Sequence, residues 1–387
     1  MLLTAWTATR ALLLLCVFRV VVVPGPDVTT DVHVIYQGWY RVLRTGTFPL
    51  DDVTWQYPPG AALAVLSPAL LPFLGYATAF FVLALLTDAV VTTLLVREGR
   101  RAGRRRLGAW AWTIGLPLLG PTVYARYDLM VTAVAMAALL LPRVRGPLIA
   151  LGALLKVWPV LLLAGVRERS AFRAAAVTAA VLLIGFTATM PGALAFLTFQ
   201  RDRGTEVESL GALVFHVARH LGWEGRVQMN YGSVEFLGPY VSLISRAALA
   251  LTLLGLGWLV YWRLRVRRWH PHTTADAAFA AVLLFTTTSR VLSPQYLVWL
   301  IGLAAVCLTL RSTRMERPAW LVLAAVPPTF LEFPVWFSEV VHSGWGGIAL
   351  LAVRNGLLVA AAVIACRALW LDTVPCREPA RVPFPTP

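Results

Sequence analysis

Four aspartates, Asp27, Asp31, Asp51 and Asp52, crowd into one polar stretch that ends in the turn sequence Tyr57-Pro58-Pro59 and is flanked on both sides by apolar sequence. A carboxylate at a water–membrane boundary acts as a general base, taking the proton from an acceptor hydroxyl as that oxygen attacks an electrophilic carbon. Asp31 is the leading candidate. A plainer role competes with it: Thr29, Thr30 and Asp31 precede Val34, Ile35, Trp39, Val42 and Leu43 at helical spacing, with Gly46 as a stop, so Asp31 also suits a helix N-cap. Both roles stay open at this level. Tyr36 and Tyr57 accompany the acids as further candidates.

Three more clusters carry charge where apolar sequence surrounds it. Arg126-Tyr127-Asp128 sits between two apolar runs, as a structural ion pair or as part of a substrate path. Arg201 and Arg203, with Glu206 and Glu208, lie in a long polar loop; the planar guanidinium fork suits a phosphate, and the alternative is a solvated loop face. Arg290 interrupts a long apolar run just before Ser293-Pro294-Gln295-Tyr296, and it too can clamp a phosphate. Asp88, Lys156, Glu332 and Arg354 are deeper and read as buried pairs or cavity lining. His216 and His220 are four residues apart with no third ligand, so no metal site is expected. Cys16, Cys307, Cys366 and Cys376 form no CxxC pair, which argues against a disulfide framework or a structural zinc.

The elements that must position these residues are apolar helices. A mean hydropathy of +0.71 with 14% charged residues excludes a soluble domain of this length. The net charge of +15 comes from short arginine runs between apolar stretches, the pattern of cytoplasmic loops and not of a nucleic-acid surface. Apolar length places spans near 9–23, 76–96, 109–124, 127–142, 174–192, 241–262, 274–289, 295–310, 318–334 and 346–369. The first is an uncleaved span and not a signal peptide, because no small-x-small site follows it. Runs at 97–106, 143–145, 263–268 and 311–317 then fall inside, and residues 24–75 and 191–239 fall outside. Gly60 to Leu74 reads as a helix at the outer interface, and Pro147 to Val166, broken at Lys156 and Pro159, as a re-entrant hairpin. The expected fold is all-α: one polytopic membrane domain over residues 1–374, with about twelve transmembrane or re-entrant helices and outer-face loops. A disordered cytoplasmic tail is expected over 375–387.

Asp31 to Tyr36, Gly46 and Tyr57-Pro58-Pro59-Gly60 resemble the first outer loop of GT-C superfamily polyprenyl-phosphate-dependent glycosyltransferases. The resemblance is especially to the alpha-mannosyltransferases of glycosyltransferase family 87 from actinobacteria. It continues through Arg126-Tyr127-Asp128-Leu129, Leu151 to Pro159, Arg203-Gly204, Glu208-Ser209-Leu210 and Ser293-Pro294 to Trp299, in the same order. The resemblance implies a plasma-membrane, multi-pass enzyme with its active site facing the extracytoplasmic side. Asp31 would be its base; on the chemistry of the residues themselves, Arg203 or Arg290 would hold the donor phosphate. It implies a polyprenyl-phosphate sugar as donor, a hexose such as mannose as the group transferred, and a lipid or glycan as acceptor. Membrane lipids are the surrounding partners, and neither a cofactor nor nucleic acid is called for. Gln295 and Tyr296 depart from the family pattern, which often has histidine after Ser-Pro. The rival readings are a transporter or lipid flippase, against which the polar residues' concentration in outer loops counts, and a non-catalytic subunit that presents a lipid-linked sugar.

Overall fold

The computed structural model describes residues 1–197 and 204–374. Helix accounts for 70% of it and strand for 4%, so the fold is helical with one small sheet added. Five helices are long and apolar enough to cross a membrane: Tyr76–Glu98, Arg169–Thr189, Val241–Arg265, Glu316–Val335 and Trp345–Thr373. The pair Asp128–Leu140 and Pro142–Leu155, bent by 110°, makes a sixth at most. By length and composition, five or six spans are supported, against the expected count of about twelve transmembrane or re-entrant helices. Leu2–Val17, Ala61–Leu70, Leu107–Leu118, Thr273–Thr288 and Tyr296–Thr309 are apolar but shorter. At 1.5 Å per residue, a helix of 16 residues is about 24 Å long, short of the roughly 30 Å hydrocarbon layer. Thr273–Thr288 and Tyr296–Thr309 stop on either side of residues 289–295, and that non-helical backbone lines a cavity.

The break expected near Lys156 is present. The Arg145–Leu155 helix ends at Lys156, whose backbone is extended (φ −158°, ψ 133°), and Trp158–Gly165 follows as a tight helical turn. Gly152 is what lets the two pieces close: a Cβ there would stand 3.0 Å from the Pro159 ring. Gly60, at the start of the Ala61–Leu66 helix, fits only without a side chain against the Leu154 backbone of the same piece. The first outer loop is thereby packed onto the broken helix.

The arginine-rich loops meet one another at one end of the bundle. Residue Arg104 bridges to Leu310, Arg105 Nη2 pairs with Glu316 Oε2 at 2.9 Å, and Arg314 Nε with Asp372 Oδ1 at 2.8 Å. The amides of Arg267 and Arg268 both donate to the Thr373 carbonyl. Farther along the bundle, Arg10 ties the first helix to its neighbours: Nε and Nη2 donate to Asp88, Nη1 to the Thr113 carbonyl, and Trp112 and Tyr124 donate to the same carboxylate. Arg10 and Asp88 are buried, and this full set of donors is what makes an apolar site tolerate the pair.

Within the long outer loop expected over residues 191–239, residues 204–240 fold into a compact unit with the start of the following helix. Strands β1 (Thr205–Glu206), β2 (Arg226–Asn230) and β3 (Ser233–Leu237) pair antiparallel in the order β1-β3-β2. The Ala212–Arg219 helix packs on them, and Val207, Ala212, Phe215, Phe236, Val241, Val340 and Leu351 form a second buried core. The all-α expectation misses this sheet because its strands are two and five residues long and pair across a gap of helix and turn.

Candidate active site

A cavity of about 440 Å³ opens where the first outer loop, the break at Lys156, the β2–β3 turn and residues 289–296 converge. Its wall includes Asp31, Tyr36, Gln56, Tyr57, Lys156, Tyr231, Arg290, Ser293, Gln295 and Tyr296, with Trp39, Trp158 and Trp299. Seven of the residues singled out from sequence are thus brought together: Asp31, Tyr36, Tyr57, Arg290, Ser293 and Gln295 as site candidates, and Lys156 as a cavity lining.

Asp31 begins a continuous helical stretch, a wide-wound Asp31–Tyr36 turn followed by Gln37–Leu43, with Gly46 in a left-handed conformation (φ +85°) just beyond. Its side chain caps nothing. Asp27 fills that local role: its Oδ1 accepts the Thr29 amide at 2.9 Å and the Thr29 hydroxyl at 2.7 Å. Burial pushes the Asp27 carboxyl up, but those bonds and Arg19 outweigh it and hold the group below its ordinary value. Asp52 is likewise committed, accepting Trp39 Nε1 at 2.8 Å and both the amide and hydroxyl of Thr54. Burial again acts upward and the Thr54 and Trp39 donors prevail, so its carboxyl also lies low. Asp51 is exposed. Of the four acids, Asp31 alone lines the cavity, with 31% of its side chain exposed and Oδ2 3.1 Å from Arg126 Nη2.

Arg126 and Asp128 do not pair with each other. Arg126 is turned to the first outer loop, donating through Nη1 to the Val28 and Ala125 carbonyls while Nη2 meets Asp31. Asp128, at the first turn of the next helix, accepts Lys156 Nζ at 2.7 Å and Trp299 Nε1 at 2.6 Å on Oδ1. It is buried behind the wall and positions Lys156, which does line the cavity. The Lys156 ammonium lies 5.1 Å from the Trp299 ring centre and 5.5 Å from each of Tyr57, Tyr127 and Tyr296. Tyr296 stacks on Trp299 at 3.9 Å and Trp158 stacks on Trp299 at 5.1 Å. Ring faces on several sides add cation–π contacts to the ion pair with the Asp128 carboxylate. Lys156 is the only lysine in the chain, and the sequence marks it only as a deep pair or a cavity lining. It proves to be both, because the rings that box it come from three separate elements.

The Arg290 segment is held by Glu206. Glu206 Oε2 accepts the Leu292 amide and Oε1 the Ser293 hydroxyl, each at 2.6 Å, while its own amide donates to the Arg290 carbonyl. Arg290 Nη1 reaches Ser245 Oγ at 3.3 Å. Glu206 and Glu208 are buried, which corrects the solvated loop face. Glu208 is not among the residues lining this cavity; it lies beside Glu332 and Arg354, and Arg354 Nη2 reaches both Glu332 Oε1 at 2.7 Å and the Glu208 carbonyl at 2.8 Å. Burial, then the charges of Glu206 and Glu332, hold its carboxyl well above the usual range. Arg201 and Arg203 lie outside the described residues.

The chain is a helical protein with several apolar, membrane-length helices, and one carboxylate, Asp31, and two cations, Lys156 and Arg290, line an aromatic-walled cavity. The sequence profile of glycosyltransferase family 87 matches residues 55–294, more than half of the chain, and the chain belongs to that family. It is a glycosyltransferase, and as such it joins a sugar donor to an acceptor. No curated protein matches it. The matched span includes Lys156 and Ser293 and begins after Asp31.

Proposed function

We propose that this enzyme transfers a hexose, with mannose the first sugar to test, from a polyprenyl-phosphate donor to a lipid or glycan acceptor at the extracytoplasmic face of the plasma membrane. The observation that carries the reading is the placement of Asp31, Lys156 and Arg290 around one cavity. The reaction is a single in-line displacement. The acceptor oxygen attacks the anomeric carbon, its proton passes to Asp31, and the bond from that carbon to the phosphate oxygen breaks, releasing polyprenyl phosphate. Lys156 and Arg290 face the charge that builds on the departing phosphate, with Arg203 the third candidate. The stacked Trp158, Trp299 and Tyr296 offer flat apolar faces to a sugar ring. The two cations and the absence of any nucleotide-sized glycine-rich element in the short arginine loops favour a lipid-phosphate donor over a nucleotide sugar. A transporter or flippase finds no support in the family match.

The test uses purified protein in lipid, supplied with radiolabelled polyprenyl phosphomannose or with GDP-mannose. Transfer from the lipid-linked sugar alone is expected. Efficient use of the nucleotide sugar alone sinks the reading.

A further inference from the structure

The β2–β3 turn is built against its own local preference. Tyr231 and Gly232, its two central residues, both have left-handed backbones, φ +48° and +77°. Such a two-residue turn favours asparagine or glycine at both places, since a Cβ is strained there. A tyrosine in the first place is a local conflict of the kind found where a side chain is needed for something other than the fold. The turn is braced from within by Glu235, which accepts Asn230 Nδ2 at 3.0 Å, the Ser233 hydroxyl at 2.9 Å and the Gly204 amide at 2.7 Å.

The sheet that carries this turn bridges the cavity. On one side β1 pairs with β3 and is fastened by Glu206 to residues 290–293. On the other side the turn docks on the first outer loop: Gln56 Nε2 donates to the Tyr231 carbonyl at 3.0 Å, and a Cβ on Gly232 would lie 3.6 Å from Thr54. Tyr231 is half-buried and lines the cavity together with Asp31, Thr54 and Gln56. The proposed base must reach the acceptor hydroxyl, and the turn docks on the loop that carries that base.

We propose that Tyr231 forms the acceptor subsite, its ring supporting the apolar face of the acceptor's terminal sugar so that a hydroxyl of that sugar reaches Asp31. The subsite rests on the glycosyltransferase reading for its role, but its ligand class, a hexose glycoside, is open to a direct binding measurement. Tyr231→Gly suits the left-handed turn better than tyrosine and removes only the ring; Tyr231→Phe keeps the ring. With protein in lipid nanodiscs, the quenching of tryptophan fluorescence by octyl α-mannoside below its micelle concentration is titrated for each form. The expected result is at least roughly tenfold weaker binding for Tyr231→Gly, near-normal binding for Tyr231→Phe, and a donor KM within about twofold of normal for both. Unchanged octyl mannoside binding in Tyr231→Gly overturns the subsite, as does failure of the unaltered protein to bind it, or a loss that falls on the donor KM instead. Loss of glycoside binding in a protein that transfers no sugar from polyprenyl phosphomannose keeps the subsite and sinks the donor reading.

Discussion

Asp31 shows how much a single residue's role depends on its neighbours' commitments. Sequence left it balanced between helix cap and base, since both roles ask for a carboxylate at the start of an amphipathic run. Asp27 and Asp52 bind the local hydroxyls and amides, whereas Asp31 faces Arg126 and the cavity, a placement that supports the proposed role as base. Asp31→Asn keeps size and hydrogen bonding but cannot take a proton, so turnover is expected to fall by at least about a hundredfold at unchanged expression. Near-normal turnover would remove Asp31 from the chemistry. For Lys156, replacement by methionine strands the buried Asp128 carboxylate, so the informative variant is the double change Lys156→Met with Asp128→Asn. A lost charge-assisted contact of about 1.5–3 kcal/mol predicts a donor KM raised roughly tenfold to a hundredfold, with acceptor KM little altered. An equal rise in both would assign Lys156 to cavity shape alone.

Secondary-structure elements were legible where local signals sufficed and hidden where pairing is long-range. The break at Lys156 could be read because proline and a lone cation interrupt an apolar run, and the helix from Asp31 could be read from its spacing. The sheet was hidden because β1 carries two residues and finds its partner about thirty positions on, in β3. Apolar composition marks the helices on either side of residues 289–295 but does not reveal that the backbone between them unwinds to line a cavity. Within the folded outer unit, His216 is a second buried device that its sequence did not announce. Its Nε2 donates to the Val207 carbonyl at 2.8 Å, and its Nδ1 lies 2.8 Å from the Ser343 hydroxyl, which also accepts Arg219 Nη1 at 3.0 Å. Burial, with Arg219 and His220 nearby, brings its pKa from 6.5 down to about 4. The unfolded chain takes its proton near 6.5 while the folded one does not until about 4. The outer unit therefore loses stability as pH falls through that window, and the loss levels off below about 4. Melting temperature in nanodiscs is expected to drop from pH 7.5 to pH 5, and His216→Gln, although less stable at pH 7.5, is expected to show a shallower drop. An equal slope in the two proteins would assign the acid sensitivity to other groups.

At the scale of the whole molecule, the chain has two unlike ends, and the contacts agree with the charge pattern on which loops share an end. Arginine runs far apart in sequence meet through Arg104 with Leu310, Arg105 with Glu316 and Arg314 with Asp372. The cavity loops meet through Arg126 with Asp31, Gln56 with Tyr231 and Glu206 with Ser293. The positive-inside bias then predicts that the first end faces the cytoplasm and the cavity faces out. Single cysteines test this best at exposed sites that tolerate a side chain, in a background whose four native cysteines are replaced. Thr45 and Glu224 serve for the cavity end and Ala102 for the arginine end, all exposed; Gly225 is unsuitable because a Cβ there would collide with the Trp223 ring. In intact cells an impermeant thiol reagent is expected to label cysteine at 45 and 224 and to spare it at 102 until the membrane is opened. Labelling at 102 alone would place the cavity in the cytoplasm, where nucleotide sugars are available, and with it would go the physical reason for a lipid-linked donor.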